Sequence, residues 1–313
     1  MCPFPMPAGG AVRALPSLFL LLGIAAGADP APGYVGAETC AKCHPAEFDL
    51  QSRSAHAHTL APSAAGQPGD WAFGAGRQAI TFVRREDQDH YRELGQTWYR
   101  ELNGYGLTPG HRNPDGVAFR LFDPDARILR CFACHSTGRL TLGEGDRIVP
   151  HELGVRCEMC HGPGGLHAED PARNRPRNPG RLRAAGLNTF CAACHRFKLE
   201  TGEELTDLRD PRNSRSEPLR LAASVCFQKS GGRLTCLTCH SPHGPLERSA
   251  AVYDGACKNC HMAPRHREPV GAQSCSKCHM PAIRTGNLVF VNHRIAGYRP
   301  EDPLLPVIGK TGH

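Results

Sequence analysis

GVRCEMCHGPGGLH, residues 154–167, contains the pattern C-x-x-C-H, which decides how this chain folds. The pattern occurs seven times in the 313 residues and takes 14 of the 16 cysteines. Its copies are Cys40, Cys43 and His44; Cys131, Cys134 and His135; Cys157, Cys160 and His161; Cys191, Cys194 and His195; Cys236, Cys239 and His240; Cys257, Cys260 and His261; and Cys275, Cys278 and His279. In c-type haem attachment both thiols bond to the haem and the histidine binds the iron. The sequence therefore predicts seven covalently bound haem c groups, numbered haems 1–7 in chain order.

Other uses of paired cysteines fit the pattern less well. A zinc ribbon needs four ligands per site, but nothing in it requires a histidine directly after every second cysteine. Iron–sulfur ligation leaves that histidine equally unexplained. A disulfide framework does not produce seven identical short spacings. Cys226 lies outside every copy, and a buried thiol, a contact to haem and a surface thiol all remain open for it.

The N-terminus has the features of an export signal. Arg13 is the only charged side chain before Asp29, an apolar run follows from Leu18 to Ala26, and Ala26-Gly27-Ala28 resembles a cleavage site. Residues 1–28 are therefore predicted to be a signal peptide, with an uncleaved anchor as the alternative. We expect the mature protein to be soluble and periplasmic or extracellular, where c-type haem is attached.

Composition argues against a large conventional core. Aromatic residues make up 6% of the chain, and 34 glycines and 27 prolines interrupt it. The expected fold is a set of mainly short α-helices and loops wrapped around seven haems, with a small β-rich insert. The formal net charge of +7 is expected to neutralise haem propionates rather than to bind nucleic acid. The densest arginine cluster, for which a solvated loop and a propionate or partner site compete, is Arg173, Arg175, Arg177, Arg181 and Arg183.

The haem motifs divide the chain into segments. A short helix is predicted from Glu38 to Gln51, and strands are predicted at 80–83, 90–94 and 97–100. Only 16 residues separate His240 from Cys257 and 13 separate His261 from Cys275, so haems 5–7 must lie close together. The expected organisation is a signal peptide (1–28), the haem 1 segment (29–70), the β-rich insert (71–130), haems 2–4 (131–200), a linker or loop (201–225), and haems 5–7 with the C-terminal segment (226–313).

Histidine is the expected sixth ligand of most irons. Methionine is the usual alternative, but Met159, Met262 and Met280 lie inside or directly after motifs and cannot easily reach their own irons. The favoured distal ligands are His56, His167, His243 and His293. Further candidates are His58, His111, His151 and His266. His90, in a predicted strand, and the terminal His313 are expected not to bind iron.

Three stretches resemble the cytochrome c-554 / c-prime family of multihaem cytochromes: GYVGAETCAKCHPAEFDLQSRSAHAHT (33–59), CFACHSTG (131–138) and GVRCEMCHGPGGLH (154–167). LTCLTCHSPHG (234–244) and CKNCHMAP (257–264) resemble the doubled motif of related multihaem proteins. The resemblance implies an extended haem-wrapping chain and distal ligands at His167 and His243, with His56 and His293 matching similarly. The c-554 pattern has four haems, whereas this chain has seven motifs and a β-rich insert.

Three functions remain open at this stage. The leading hypothesis is electron transfer between redox partner proteins, such as a membrane quinol dehydrogenase and a terminal reductase or oxidase. The second is an enzyme that converts a small nitrogen or sulfur compound at one five-coordinate haem. No C-x-x-C-K occurs, which excludes the lysine-ligated haem of ammonia-forming nitrite reductases. The third is a subunit of an extracellular cytochrome filament.

Overall fold

The computed structural model describes residues 33–123, 127–195, 216–266 and 271–299. Contacts divide the chain into residues 1–31 and 32–313, and only the second unit contains described residues. The predicted signal peptide and His313 therefore lie outside them. Among the described residues, no helix is both long and apolar enough to cross a membrane.

Short helices and small sheets form the fold, and the short helices agree with the expected class. The helices are α1 (Ala37–Ala41), α2 (Pro45–Ser52), α3 (Arg127–His135), α4 (Cys157–His161), α5 (Gly165–Glu169), α6 (Ala184–His195), α7 (Glu217–Ala222), α8 (Val225–Lys229), α9 (Ala250–Lys258) and α10 (Cys275–His279). The strands are β1 (Leu60–Pro62), β2 (Trp71–Phe73), β3 (Ala79–Arg85), β4 (His90–Tyr99), β5 (Gly104–Leu107), β6 (Val117–Arg120), β7 (Ser136–Leu142), β8 (Ile148–Leu153), β9 (Ala282–Thr285) and β10 (Leu288–Val291).

The haem motifs are single helical turns. In the haem 1 motif the His44 amide donates to the Cys40 carbonyl at 2.9 Å. In the haem 6 motif the His261 amide donates to the Cys257 carbonyl in the same way, at 3.0 Å. α3, α4, α6 and α10 each end at their motif histidine. Because residues three and four apart share a helix face, one turn presents both thiols and the imidazole to the same side.

Six antiparallel strands form the largest sheet. Its order is β1-β2-β3-β4-β5, and β6 also pairs with β4. The strands predicted at 90–94 and 97–100 are one continuous strand, β4, because Gly95 and Gln96 stay extended. Two-stranded sheets that the sequence did not predict follow as β7–β8, between haems 2 and 3, and β9–β10, after haem 7.

The core of the sheet includes α3, the helix that carries the haem 2 motif. Its buried members are Leu60, Trp71, Phe73, Val83, Tyr91, Leu121, Ile128, Phe132 and Ile148. Phe132, inside the haem 2 motif, contacts Trp71 and Phe73 edge to face with ring centroids 5.4 and 5.1 Å apart. The apolar face of the sheet therefore positions the second haem motif.

Several predicted boundaries differ from the structure. The predicted helix over 38–51 is two helices, α1 and α2, separated at the end of the haem 1 motif. The boundary at residue 70 falls between β1 and β2, which pair with each other. Residues 201–215 of the predicted linker lie outside the described residues. The rest of it is not a surface loop, because α7 buries Arg220 and Leu221. Pro218 occupies the first turn of α7, where proline is compatible with a helix.

Candidate functional site

Five motif histidines each face a second histidine across a similar gap. The ring centroids are 6.3 Å apart for His44 and His167, 6.0 Å for His161 and His243, 6.0 Å for His195 and His56, 6.0 Å for His240 and His293, and 6.1 Å for His279 and His266. The interplanar angles range from 18° to 77°. All four favoured distal candidates are in these pairs, and His266 joins them from the second group.

The gap fits one haem iron between each pair. A metal–imidazole bond is about 2.0 Å long, so two imidazoles on opposite sides of one metal hold their centroids about 6 Å apart. Rotation about the metal–nitrogen axis leaves the interplanar angle free, which accommodates the observed range. The donor set also fits, since haem iron commonly accepts axial imidazole.

The protonation of one pair agrees with this fit. Burial lowers the pKa of His240, and the nearby charge of His293 lowers this pKa further. Burial is also the main cause that lowers the pKa of His293. A lowered imidazole pKa favours the neutral ring, which is the form that binds a metal.

Backbone carbonyls orient many of the rings. The Nδ1–O distances are 3.0 Å from His135 to Thr59, 2.8 Å from His161 to Arg177, 2.7 Å from His167 to Asn174, 3.0 Å from His279 to Ala296 and 3.0 Å from His293 to Val291. A hydrogen bond from Nδ1 fixes the tautomer and leaves Nε2 for the metal. His195 differs, because its Nδ1 lies 3.5 Å from the carboxylate Oε2 of Glu217.

Thiols of different motifs lie against one another. Burial raises the pKa of the Cys40 thiol and the nearby Cys157 raises it further, whereas the nearby Cys194 lowers the pKa of Cys134 and the nearby Cys191 lowers that of Cys236. In the haem-bound protein these sulfur atoms would be thioethers. The contacts bring together the motifs of haems 1 and 3, of haems 2 and 4, and of haems 4 and 5.

The remaining histidines contact other groups. The His111 side chain is 7% exposed and lies 3.1 Å from Glu93. The exposed His151 has its ring 5.5 Å from that of Tyr34. His58 is exposed at the end of a 3-10 helix. His90 lies 2.7 Å from Asp87, at the turn between β3 and β4. Among the described residues, none of these contacts brings His111, His151 or His90 opposite a motif histidine.

Three polar residues lie beside the haem motifs, and the sequence analysis did not mark two of them, Glu158 and Glu217. Arg177, from the arginine cluster, lies exposed in a loop, donates to the Cys160 carbonyl at 3.0 Å and lies over the Phe190 ring. Glu158 and Glu217 have buried or largely buried carboxylates beside motifs. A charged residue between two motif cysteines, as in CEMCH, was a visible signal for Glu158.

The unmatched Cys226 lies beside two motifs. Partial burial raises its pKa, and the nearby Cys260 thiol of the haem 6 motif raises it further. Burial raises the pKa of Cys239, from the haem 5 motif, and the nearby Cys226 raises it further. The unpaired thiol is therefore close to both attachment sites.

The comparisons with known proteins agree with these observations. The model of the "cytochrome c554 and c-prime" family matches residues 121–162, which include the haem 2 and 3 motifs. A curated relative, the multiheme cytochrome MtrA of Shewanella baltica (strain OS185), is 23% identical over 43% of this chain. The chain spans about half of that relative, 53% of its length.

Two solved structures have a similar fold. The outer cell wall cytochrome OcwA has a TM-score of 0.55 at 15% identity, over 84% of this chain and 79% of that one. The undecaheme cytochrome from the S-layer of Carboxydothermus ferrireducens has a TM-score of 0.50 at 16% identity, over 86% of this chain and 53% of that one. The fold of these neighbours is consistent with the helical turns that bear C-x-x-C-H and with the paired imidazoles.

Proposed function

We propose that this chain, a multihaem c-type cytochrome, binds seven haem c groups and transfers electrons along them between redox partner proteins. The observation that carries the proposal is the set of five histidine pairs, each with the separation that one iron requires. An iron held by both imidazoles of a pair would have no coordination position left for a substrate. Such sites relay electrons rather than convert small molecules.

On this proposal, each histidine pair supplies the two imidazole ligands of one haem, so that five haems have a distal ligand. His167 serves haem 1, His243 serves haem 3, His56 serves haem 4, His293 serves haem 5 and His266 serves haem 7. Each distal ligand comes from outside the motif that it completes. Four of the five pairs thus connect segments more than 50 positions apart in the chain.

When bound, each haem supplies a one-electron iron couple, and the protein supplies position and electrostatics. The chain's own residues hold the thioether and imidazole attachment points and fix ring orientation through Nδ1 hydrogen bonds. The proximity of cysteines from different motifs supports haem 1 beside haem 3, and haem 4 beside both haem 2 and haem 5. Neighbouring haems at these positions allow electrons to pass between motifs that are far apart in sequence.

The setting of the protein is part of the proposal. The predicted signal peptide, and attachment of c-type haem after export, support a location in the periplasm or outside the cell. An outer cell wall cytochrome and an S-layer cytochrome share its fold. Its partners would be redox proteins, such as a membrane quinol dehydrogenase or a terminal reductase or oxidase.

Haem content and spin state test the proposal. A pyridine haemochrome assay should give seven haems per chain, and electron paramagnetic resonance of the oxidised protein should show low-spin iron at the five paired haems. His243→Ala should convert one haem to high spin, whereas His90→Ala, which removes a histidine at a strand turn, should leave the spectrum unchanged. A native high-spin haem that binds cyanide or nitrite at a paired site would instead favour the enzyme hypothesis.

A further inference from the structure

Glu158, inside the haem 3 motif, has a carboxylate that connects two other segments. Its side chain belongs to a residue that is 3% exposed. Oε1 accepts hydrogen bonds from the Val35 amide at 3.0 Å and the Gly164 amide at 2.7 Å. Oε2 accepts from the Gly36 amide at 2.8 Å and also contacts the Val35 amide at 3.1 Å. The motif of one haem therefore holds backbone from two places outside it.

Each of these two segments leads directly into a ligand of haem 1. Val35 and Gly36 precede α1, which carries Cys40 and is followed by His44. Gly164 precedes α5, which carries His167. The carboxylate thus anchors the chain on both sides of the 6.3 Å gap between these two imidazoles.

Further contacts strengthen the same junction. The Gly165 amide donates to the Gly33 carbonyl at 3.0 Å, which joins the two segments directly. A Cβ atom at position 165 would lie 2.9 Å from the Gly33 carbonyl oxygen, so this close approach requires glycine. Glu152 adds a second carboxylate, which accepts from the Ala37 amide at 3.1 Å.

A buried carboxylate is retained only where it is well hydrogen-bonded, and bonds to an ionised acceptor are the stronger kind. Removing the Glu158 carboxylate would leave the amides of Val35, Gly36 and Gly164 without this acceptor. The two segments would then be free to separate, and their separation sets the distance between the imidazoles.

We propose that Glu158 is a positioning residue for haem 1: although it lies in the haem 3 motif, it holds His44 and His167 at the separation one iron requires. The proposal rests on the proposed function, in which these two histidines bind the same iron. It assigns to the variable position of CEMCH a role at the neighbouring haem.

The experiment compares Glu158→Ala and Glu158→Gln with His167→Ala in the haem-loaded protein. Electron paramagnetic resonance measures the high-spin share, and hydrogen exchange measures protection of the Val35, Gly36 and Gly164 amides. His167→Ala should convert about one haem in seven to high spin, because it removes a ligand directly. Glu158→Ala should give a high-spin signal of the same size, with faster exchange at the three amides.

Glu158→Gln keeps the side-chain volume but replaces one acceptor oxygen by an NH₂ group. It should speed exchange on one side of the junction and produce a smaller high-spin share. Gly165→Ala keeps the carboxylate but pushes the two segments apart. It should also raise the high-spin share, at haem 1 alone. If the Glu158→Ala protein does not fold and accumulate, Glu158→Gln and Gly165→Ala still test the positioning role of Glu158. The matched control is Glu38→Gln, which removes an exposed carboxylate from the first turn of α1 and should change neither measurement.

The outcomes separate the two proposals. If His167→Ala produces high-spin haem while Glu158→Gln and Gly165→Ala stay fully low-spin with unchanged exchange, the positioning role is wrong and the ligand assignment stands. If His167→Ala leaves the spectrum unchanged, the ligand pairing itself is wrong.

Discussion

Phe132→Ala should loosen the attachment of the haem 2 helix to the sheet. Phe132 has no exposed surface and packs edge to face on Trp71 and Phe73. Truncation of a buried phenylalanine to alanine costs about 3–5 kcal/mol, because apolar contact is lost and a cavity remains. The two aromatic contacts place this site toward the upper part of that range.

Amide hydrogen exchange of β3 and β4 measures the effect, since these strands carry Val83 and Tyr91 of the same core. Because each 1.4 kcal/mol corresponds to about a tenfold change, exchange should be roughly a hundredfold to a few thousandfold faster. Phe122→Ala is the matched control, since Phe122 is 63% exposed and its truncation should cost within about 0.5 kcal/mol. Mass spectrometry establishes that both variants carry the same number of haems. Exchange within threefold of the control would refute the conclusion that the sheet core anchors α3.

Three further predictions concern the haems. His266→Ala should convert the haem bound by His279 to high spin, seen as one additional high-spin centre by electron paramagnetic resonance. An unchanged spectrum would show that His266 and His279 do not bind the same iron. Glu217→Gln should raise the midpoint potential of the haem bound by His195 by about 50–100 mV, or about 1–2 kcal/mol, because a nearby negative charge stabilises oxidised iron. Spectroelectrochemical titration measures this, with Glu247→Gln at an exposed carboxylate as control, and equal potentials in both variants would contradict it. Protein expressed without haem attachment should lack a cooperative thermal transition by circular dichroism.

Local chemistry predicts much of the candidate site. C-x-x-C-H specifies its own cofactor because attachment needs both thiols and the histidine within one helical turn. His167 and His243 could be selected because a histidine so soon after a motif cannot fold back onto its own iron. β3 was predictable from its β-branched and aromatic residues, Ile80 to Val83.

Pairing across the chain was not predictable, since it depends on tertiary contacts. His56 follows the haem 1 motif but faces His195, which is 139 positions later. His266 follows His261 by five positions but faces His279 instead. β7 was missed because its burial pattern has no strict alternation, and its register shifts between Thr137 and Leu140. The local sequence shows only the residues near a histidine in the chain. Its partner across an iron instead depends on which other segment packs against it.

The two variable positions of each motif link it to its surroundings. Phe132, the first variable residue of CFACH, has no exposed surface and belongs to the sheet core, whereas Glu158, at the same position of CEMCH, bonds three backbone amides. Lys258 in CKNCH and Lys277 in CSKCH are exposed. The invariant residues provide the same attachment chemistry at every site, so they cannot distinguish one haem from another. The variable residues are free of that chemistry, and a buried apolar or acidic residue there indicates a motif that is built into the fold beyond its own haem. On this argument haems 2 and 3 are the most constrained by protein packing, and substitutions between their cysteines should disturb neighbouring elements more than equivalent substitutions at haems 6 and 7.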